Sequence, residues 1–469
     1  MKTLELSDPL FKRIGVLADQ HNLKTYVVGG YVRDLLLGKR VKDIDFLVEG
    51  EGPAFAKQVA QALNSKKWTV YKQFGTAMVQ VGDKTLEFVG ARAESYRGDS
   101  RNPNVVQASL DEDLARRDFT INAMAVSLNA GQYGKLFDHF NGLKDLQHRR
   151  IRTPLEPEQT LYDDPLRILR AIRFATQLEF HIERNTLAAI KNERQRLSII
   201  TQERITEELL KMISADTPSI GLEIMEKTGV LNLVIPEVAE LRGVDQVGRF
   251  QHKDVFKHTL QVLDNVAKKS SKIELRLSAL FHDIAKPQTK EFKKGIGWTF
   301  HGHEELGAKM VARIGKKLRL SNETISFIQK ITRLHLRPIH LVEEGVTDSA
   351  IRRLLFQAGE DLDDLLILCR ADITSKNPKR VAKHLSNFDA LVERMQQVEE
   401  KDRMRAFQPP VRGDEIMQVC HIDPGPLVGV LKKQIEEAII NGEIPNEHDA
   451  ALEYLLNIKD DILKDRKKF

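Results

Sequence analysis

Strand periodicity all but stops after residue 150. Before that point short β-rich runs alternate with amphipathic stretches. Residues 9–23 read as an amphipathic helix, 25–29 as a strand, 31–37 as a helix and 43–48 as a second strand. Residues 69–71, 77–81, 85–89 and 123–128 are further strand candidates. Beyond residue 151 apolar residues recur at helical spacing, as in 165–178, 205–213 and 274–284. This pattern predicts an α+β multidomain protein, with a mixed α/β N-terminal domain and an all-α remainder. At 469 residues the chain exceeds one hydrophobic core, so three or four domains are expected. Breaks are expected near Thr217-Pro218, across 243–250 and across 407–413, where Pro or Gly interrupts the pattern.

Composition narrows the class without naming a partner. An apolar fraction of 41% with 30% charged residues describes a water-soluble globular chain. A net charge of +5 permits a nucleic-acid partner but does not demand one, so any basic surface must be local. The two cysteines, Cys369 and Cys420, form no disulfide framework or Cys-based zinc pattern. No run approaches the ~20 apolar residues that span a bilayer. The first residues carry acids and no apolar signal core. A cytoplasmic protein with no membrane association is expected.

Chemistry concentrates first at Asp43 and Asp45. Two carboxylates two residues apart on a strand point to one face. They follow Gly29-Gly30, where a missing Cβ lets backbone approach a phosphate. Hard oxygen ligands of this kind suit Mg²⁺, which takes one or two carboxylates plus substrate phosphates. That arrangement is what nucleotidyl transfer requires. Arg33, three residues past Gly30, could pair with a phosphate oxygen. Glu87, on the next strand candidate, is a candidate third carboxylate. In Arg116-Arg117-Asp118-Phe119-Thr120-Ile121-Asn122, Arg117 could grip a triphosphate and Asn122 a sugar hydroxyl.

Asp164 precedes Pro165, a residue suited to a first helical turn, and so also suits a cap. Asp164 and Arg167 are three apart and reach over one helix face. An acceptor beside a donor can read a base edge. The amino groups of cytosine and adenine donate, whereas guanine O6 and uracil O4 accept and would oppose the carboxylate. Arg170 and Arg173 continue the spacing, but at 3.6 residues per turn the row winds around the helix.

A second set lies downstream: His258, His282-Asp283 and Asp372, with His303 and His335 as added candidates. Imidazole with carboxylate suits several divalent transition metals. A metal-bound hydroxide there could cleave phosphomonoesters or 2′,3′-cyclic phosphates.

Taken together, these motifs resemble the class II tRNA nucleotidyltransferases, the CCA-adding enzymes, and the related bacterial poly(A) polymerases. The likeness runs from about residue 23 to residue 210. It implies that Asp43 and Asp45 are catalytic and bind Mg²⁺. Gly30, Arg33 and Arg117 then contact the nucleotide, Asp164 and Arg167 select the base, and Arg170 and Arg173 belong to the nucleotide site. The segment 202–209 resembles the family's closing helical motif. Where the family has Glu-Asp before Pro, this chain has Asp163-Asp164. CC-adding relatives are marked by a shortened loop between the first two motifs; residues 94–105 resemble an intact loop, favouring complete CCA addition.

The downstream set resembles the HD-domain metal phosphohydrolases through His258, His282, Asp283 and Asp372, with His303 and His335 on a second metal. The resemblance divides the chain into a catalytic head at 1–150, a helical neck at 151–215, a helical HD domain at 216–400 and a tRNA-binding helical tail at 401–469. The implied partners are the tRNA acceptor arm, CTP and ATP, and the oligomeric state is not legible. Alternatives are a poly(A) polymerase, a CC- or A-adding enzyme, an HD phosphohydrolase whose N-terminal domain only binds RNA, and a simple RNA-binding protein.

Overall fold

The computed structural model describes residues 2–71, 75–97, 100–248, 251–294, 297–343, 347–374, 377–402 and 410–464. The chain forms two compact units, Met1–Ala239 and Glu240–Phe469.

The first unit is built on a seven-stranded sheet in the order β3-β4-β5-β2-β1-β8-β9. Its strands are β1 (Lys24–Val28), β2 (Asp43–Glu49), β3 (Trp68–Tyr71), β4 (Thr76–Val81), β5 (Lys84–Gly90), β8 (Ala125–Ser127) and β9 (Leu136–Phe137). Between β5 and β8 a separate ribbon pairs β6 (Arg92–Arg97) with β7 (Ser100–Gln107). The 94–105 segment expected to be a loop falls within this hairpin. Residues 98 and 99, and the side chains of 94–105, lie outside what is described.

β2 shows why the acids face where they do. Its alternation sends Ile44, Phe46 and Val48 to one face and Asp43, Asp45 and Leu47 to the other. On the first face Phe46 stacks on Phe88 of β5 at 4.7 Å between ring centroids. Phe11 of helix α1 (Pro9–Gln20) packs on Phe46. After helix α2 (Gly30–Leu36), Phe55 of α3 (Gly52–Ala62) packs on Phe88. Full burial of each such ring contributes about 1.5–3 kcal/mol. With one face committed to these rings, the carboxylates must turn to the other. There Leu47 joins a second cluster with Tyr26, Val28, Leu110 and Leu114, the last two from α4 (Leu110–Ala115). The β2–β5 pair is parallel, and its register sets Asp45 opposite Glu87.

Helix α5 (Gly142–Gln147) and the two-residue strands β10 (Arg150–Ile151) and β11 (His181–Ile182) lead into the helices that complete this unit. These are α6 (Pro157–Asp163), α7 (Leu166–Leu178), α8 (Arg184–Glu193), α9 (Gln202–Ile213) and α10 (Ser219–Thr228), followed by two short helices. On α7 the buried stripe of Ile168, Leu169, Ile172 and Ala175 fixes the helix in the core. Arg167, Arg170 and Arg173 are left on its remaining surface.

Among the described residues the second unit is helical apart from two hairpins, Asp245–Gly248 with Gln251–Asp254 and Glu291–Lys293 with Gly297–Thr299. These hairpins and β11 of the first unit depart from the all-α expectation beyond residue 151. No helix among the described residues is long and apolar enough to cross a membrane.

Candidate functional site

Gly29 and Gly30 turn β1 into α2 beside the carboxylate face of β2. Gly29 has φ +68°, and a Cβ there would stand 2.8 Å from Arg117 Nη1 and 3.7 Å from Asp45 Oδ2. Its hydrogen therefore leaves the space in which Arg117 approaches Asp45. Burial pushes the Asp45 carboxyl up; Arg117 draws it back and the neighbouring Asp43 pushes it up again, leaving it raised. Glu87 is raised in the same way, by burial and then by Asp45. Paired carboxylates such as Asp45 and Glu87, each raised by burial and by a neighbouring carboxylate, are oxygen donors whose charge a divalent cation would relieve. Asp43 adds a further oxygen at the exposed end of β2.

Of the three, Asp45 borders a cavity of about 1070 Å³. Gly30, Arg33, Asp45, Arg117, Asp164, Arg167, Arg170 and Arg173 all line it; the exposed Asp43 stands at its edge of β2, outside that lining. Eight arginines line the cavity against four acids, an excess of positive charge suited to a polyanion.

Four of the eight arginines, Arg116, Arg117, Arg170 and Arg173, are held in place by buried acids. Asp113 is fully buried and takes Arg116 on one oxygen and Arg117 on the other, at 2.5 and 3.0 Å. Burial pushes its carboxyl up, but Arg117 and Arg116 outweigh that and hold it below the usual range. Arg33 donates to Asn122 Oδ1 at 2.8 Å, and Asn122 Nδ2 donates to Asp118 Oδ1 at 3.1 Å. Arg170 closes the chain by donating to Asp118 Oδ2 at 2.5 Å. Asn122, read from sequence as a sugar contact, thus has its amide engaged between Arg33 and Asp118. Arg173 bonds Glu208 of α9 at 2.6 Å and lies 4.1 Å over the Phe174 ring. Arg167 is buried, donating to the carbonyls of Thr160 and Arg116 at 3.3 and 2.7 Å. The three α7 arginines therefore take three different sets of partners, as the winding of the row requires.

Asp118 yields a stability prediction. Burial opposes its charge, but Arg170 overrides it and lowers the carboxyl to about 2. The folded state thus prefers the ionised form. That preference contributes fully above the ordinary carboxylate range and is lost as pH falls through about 2. Asp118→Asn should cost about 2 kcal/mol at neutral pH. Thermal melts should show a lower unfolding midpoint for the variant at pH 7, with the difference closing between about pH 4 and pH 2.

The His/Asp set assembles in the second unit. His258 sits on helix Val255–Ala267, and His282-Asp283 follow helix Ile273–Phe281. His303 opens helix His303–Lys317, His335 follows Asn322–Leu334, and Asp372 ends Leu362–Asp372. The Nδ1 atoms of His282, His303 and His335 bond the carbonyls of Ala279, Phe300 and Thr332 at 2.8, 2.7 and 2.6 Å. His258 Nδ1 meets Thr374 Oγ1 at 3.1 Å. Each ring is thereby oriented with Nε2 inward, the second-shell arrangement of metal-ligating histidines.

Two donor groups result: His258, His282 and Asp372, and Asp283, His303 and His335. Asp283 faces both. Its Oδ2 lies 3.2 Å from His282 Nε2, and its Oδ1 lies 3.3 Å from His303 Nε2. The fully buried His282 Nε2 meets Asp283 Oδ2 at 3.2 Å without a well-aligned hydrogen bond, which fits a ligand atom. Burial and the nearby His282 lower His335 to about 3, keeping it a neutral imidazole, the ligating form.

Comparison with known proteins matches three stretches of the chain to known families. Residues 25–152 match the family described as "Poly A polymerase head domain", 179–241 match "Probable RNA and SrmB- binding site of polymerase A", and 255–377 match "HD domain". A CC-adding tRNA nucleotidyltransferase of Thermus thermophilus is 30% identical over 435 residues, 91% of this chain and 92% of its own. The chain belongs to the tRNA nucleotidyltransferases. An A-adding tRNA nucleotidyltransferase of Deinococcus radiodurans is also 30% identical, over 90% of this chain and 93% of its own. A solved tRNA nucleotidyltransferase complexed with a primer tRNA and an incoming ATP analog superposes with a TM-score of 0.59. It is 26% identical and covers 82% of this chain and 99% of its own.

For a tRNA nucleotidyltransferase of this sequence, the supporting residues are what sequence reading missed. Asp113 lies three and four residues before Arg116 and Arg117, a spacing that carries the signal for the clamp. Asp118 meets Arg170 across 52 residues, and no local pattern announces that pair. Phe174, ringed by Arg33, Arg170 and Arg173, reads from sequence as one more core residue of an amphipathic helix.

Proposed function

We propose that this enzyme adds C, C and A in turn to the 3′ end of tRNA, using CTP and ATP and no nucleic-acid template. The observation that carries the reading is one cavity lined by Asp45, by phosphate-binding arginines and by the Asp164/Arg167 pair. Magnesium held by Asp43 and Asp45 supplies activation of the tRNA 3′ hydroxyl and neutralisation of the leaving phosphates. The new bond joins the 3′ oxygen to the α-phosphorus, the α–β bridge breaks, and pyrophosphate leaves. Arg33 and Arg117 pair with the triphosphate. Arg167, pinned by two backbone carbonyls, presents a fixed donor edge. Asp164 accepts the Leu166 N–H at 3.2 Å on Oδ1, leaving Oδ2 for an exocyclic amino group. We place the enzyme in the cytoplasm, with the helical region gripping the acceptor arm through phosphate contacts that weaken as salt rises.

Incubating the enzyme with tRNA lacking its CCA end and with each NTP tests this. Two C additions followed by a single A support it. Long A tracts indicate a poly(A) polymerase, and arrest after CC or addition of A alone indicates a partial enzyme. Asp164→Ala should relax discrimination against UTP and GTP by about ten- to a hundredfold, the worth of a lost base-edge pair. Competition assays with mixed NTPs measure it.

A second activity is favoured by one further observation, the sharing of Asp283 between two donor groups. We read the HD site as a phosphohydrolase using divalent transition metals, His258, His282 and Asp372 holding one and His303 and His335 the other. Water adds to phosphorus, the bond to the ribose oxygen breaks, and that oxygen takes the proton. Damaged RNA 3′ ends bearing a phosphomonoester or a 2′,3′-cyclic phosphate are the substrates this chemistry serves.

A further inference from the structure

The chain between the ligands Asp283 and His303 carries two large aromatic side chains in water. It runs through a short helix, Lys286–Thr289, and then the hairpin Glu291–Lys293 with Gly297–Thr299. Phe292 and Trp298 are directly opposed across the hairpin. Their rings meet edge to face at 5.3 Å, yet Phe292 is 62% exposed and Trp298 38% exposed. A two-stranded ribbon is marginal in water on its own, and exposed aromatic surface on a segment strung between two ligand residues points to a binding function.

The charge around the rings states what kind of ligand fits. Lys290 Nζ lies 4.5 Å over the Trp298 ring, and Lys294 is exposed near the turn. Lys293 is partly exposed beside Glu291, at 3.6 Å. Lys286 stands four residues before Lys290 in the chain, at the metal ligands: its Nζ is 2.6 Å from Asp283 Oδ2 and 5.6 Å from the Phe300 ring. Aromatic faces interleaved with lysines offer a base its stacking surface and the flanking phosphates their counter-charge. A protein partner would call for a broader apolar area with fewer cations.

We propose that the Phe292–Trp298 hairpin is a stacking platform for the terminal bases of a single-stranded RNA, setting the RNA 3′ end at the Asp283 site. This rests on reading that site as a phosphohydrolase and names its substrate class: an RNA end rather than a small phosphate ester. Lys286 is then the group that passes from Asp283 to the incoming phosphate.

The chain has two tryptophans, so Trp68→Phe leaves Trp298 as the sole tryptophan, excited selectively over the tyrosines at long wavelength. With EDTA present to prevent turnover, a single-stranded RNA hexamer ending in CCA should quench Trp298. Phe292→Ala should weaken that binding about tenfold, the size of one lost base stack. An abasic ribose-phosphate hexamer should bind at least about tenfold more weakly than the RNA, because it has charge but no base to stack. Equal quenching by the two hexamers, or none by RNA, overturns the proposal and leaves the patch to a protein partner. Quenching by cytidine 3′-monophosphate as tight as by the hexamer also overturns it, since the occupant is then a free nucleotide. Release of inorganic phosphate from a 3′-phosphorylated RNA hexamer by the metal-loaded enzyme reports the phosphohydrolase separately. Its absence with RNA quenching intact removes that reading while upholding the platform.

Discussion

Asp45→Asn should abolish nucleotide incorporation, by at least about a thousandfold, while leaving the protein as stable as before or more so. The loss follows from position. Asp45 stands between Gly29 and Glu87, at the wall of the cavity that Arg33 and Arg117 also line. Without its charge the remaining carboxylates hold magnesium poorly, and the developing charge of the transition state goes unmatched. The stability half of the prediction follows from the electrostatics. A carboxyl raised by burial, with Asp43 adding to that shift, is ionised at neutral pH at the fold's expense. An amide of the same shape removes that penalty and lowers the strain on Glu87. Radiolabelled CTP incorporation and a thermal melt, run on the same preparation, give both numbers. Added Mg²⁺ should raise the melting point of the native enzyme and move the variant much less. A drop in activity accompanied by an equal collapse of stability would reassign Asp45 to the scaffold.

The local part of this site was readable in the amino-acid order, and the long-range part was not. Alternation fixes Asp43 and Asp45 on one face because the other face of β2 is spent on Phe46 and its neighbours, and such patterns are written within ten residues. Gly29-Gly30 is legible for the same reason. The burial of Arg167 against the Arg116 carbonyl, the reach of Arg170 to Asp118, and the ring of arginines on Phe174 arise only when α7 packs onto the first unit's sheet domain. Helical spacing could say that Arg167, Arg170 and Arg173 would diverge, but not what each would meet. The HD set was legible as a collection of metal-ligand residue types. Its division into two donor groups, with Asp283 facing both, depends on helix ends far apart in sequence.

That division makes the second large effect a question of counting ions. If the HD site holds two transition-metal ions as proposed, Asp283→Asn should lose both together, and the proposed phosphohydrolase activity with them, by at least about a thousandfold. His335→Ala should lose one ion and keep the other, because His258, His282 and Asp372 remain as a set. The asymmetry comes from geometry: Oδ2 of Asp283 faces His282 and Oδ1 faces His303, whereas His335 belongs to one group alone. An amide keeps the shape but offers only one good oxygen donor and no charge to neutralise a cation. Metal analysis of dialysed protein by mass spectrometry gives the count without reference to activity. Nucleotide incorporation into tRNA should persist in both variants, because the cavity proposed to carry it is formed within the first unit. If Asp283→Asn retained one ion and half its hydrolysis, the carboxylate would be an ordinary ligand of one metal. The two donor groups would then be independent sites, and each would need its own account.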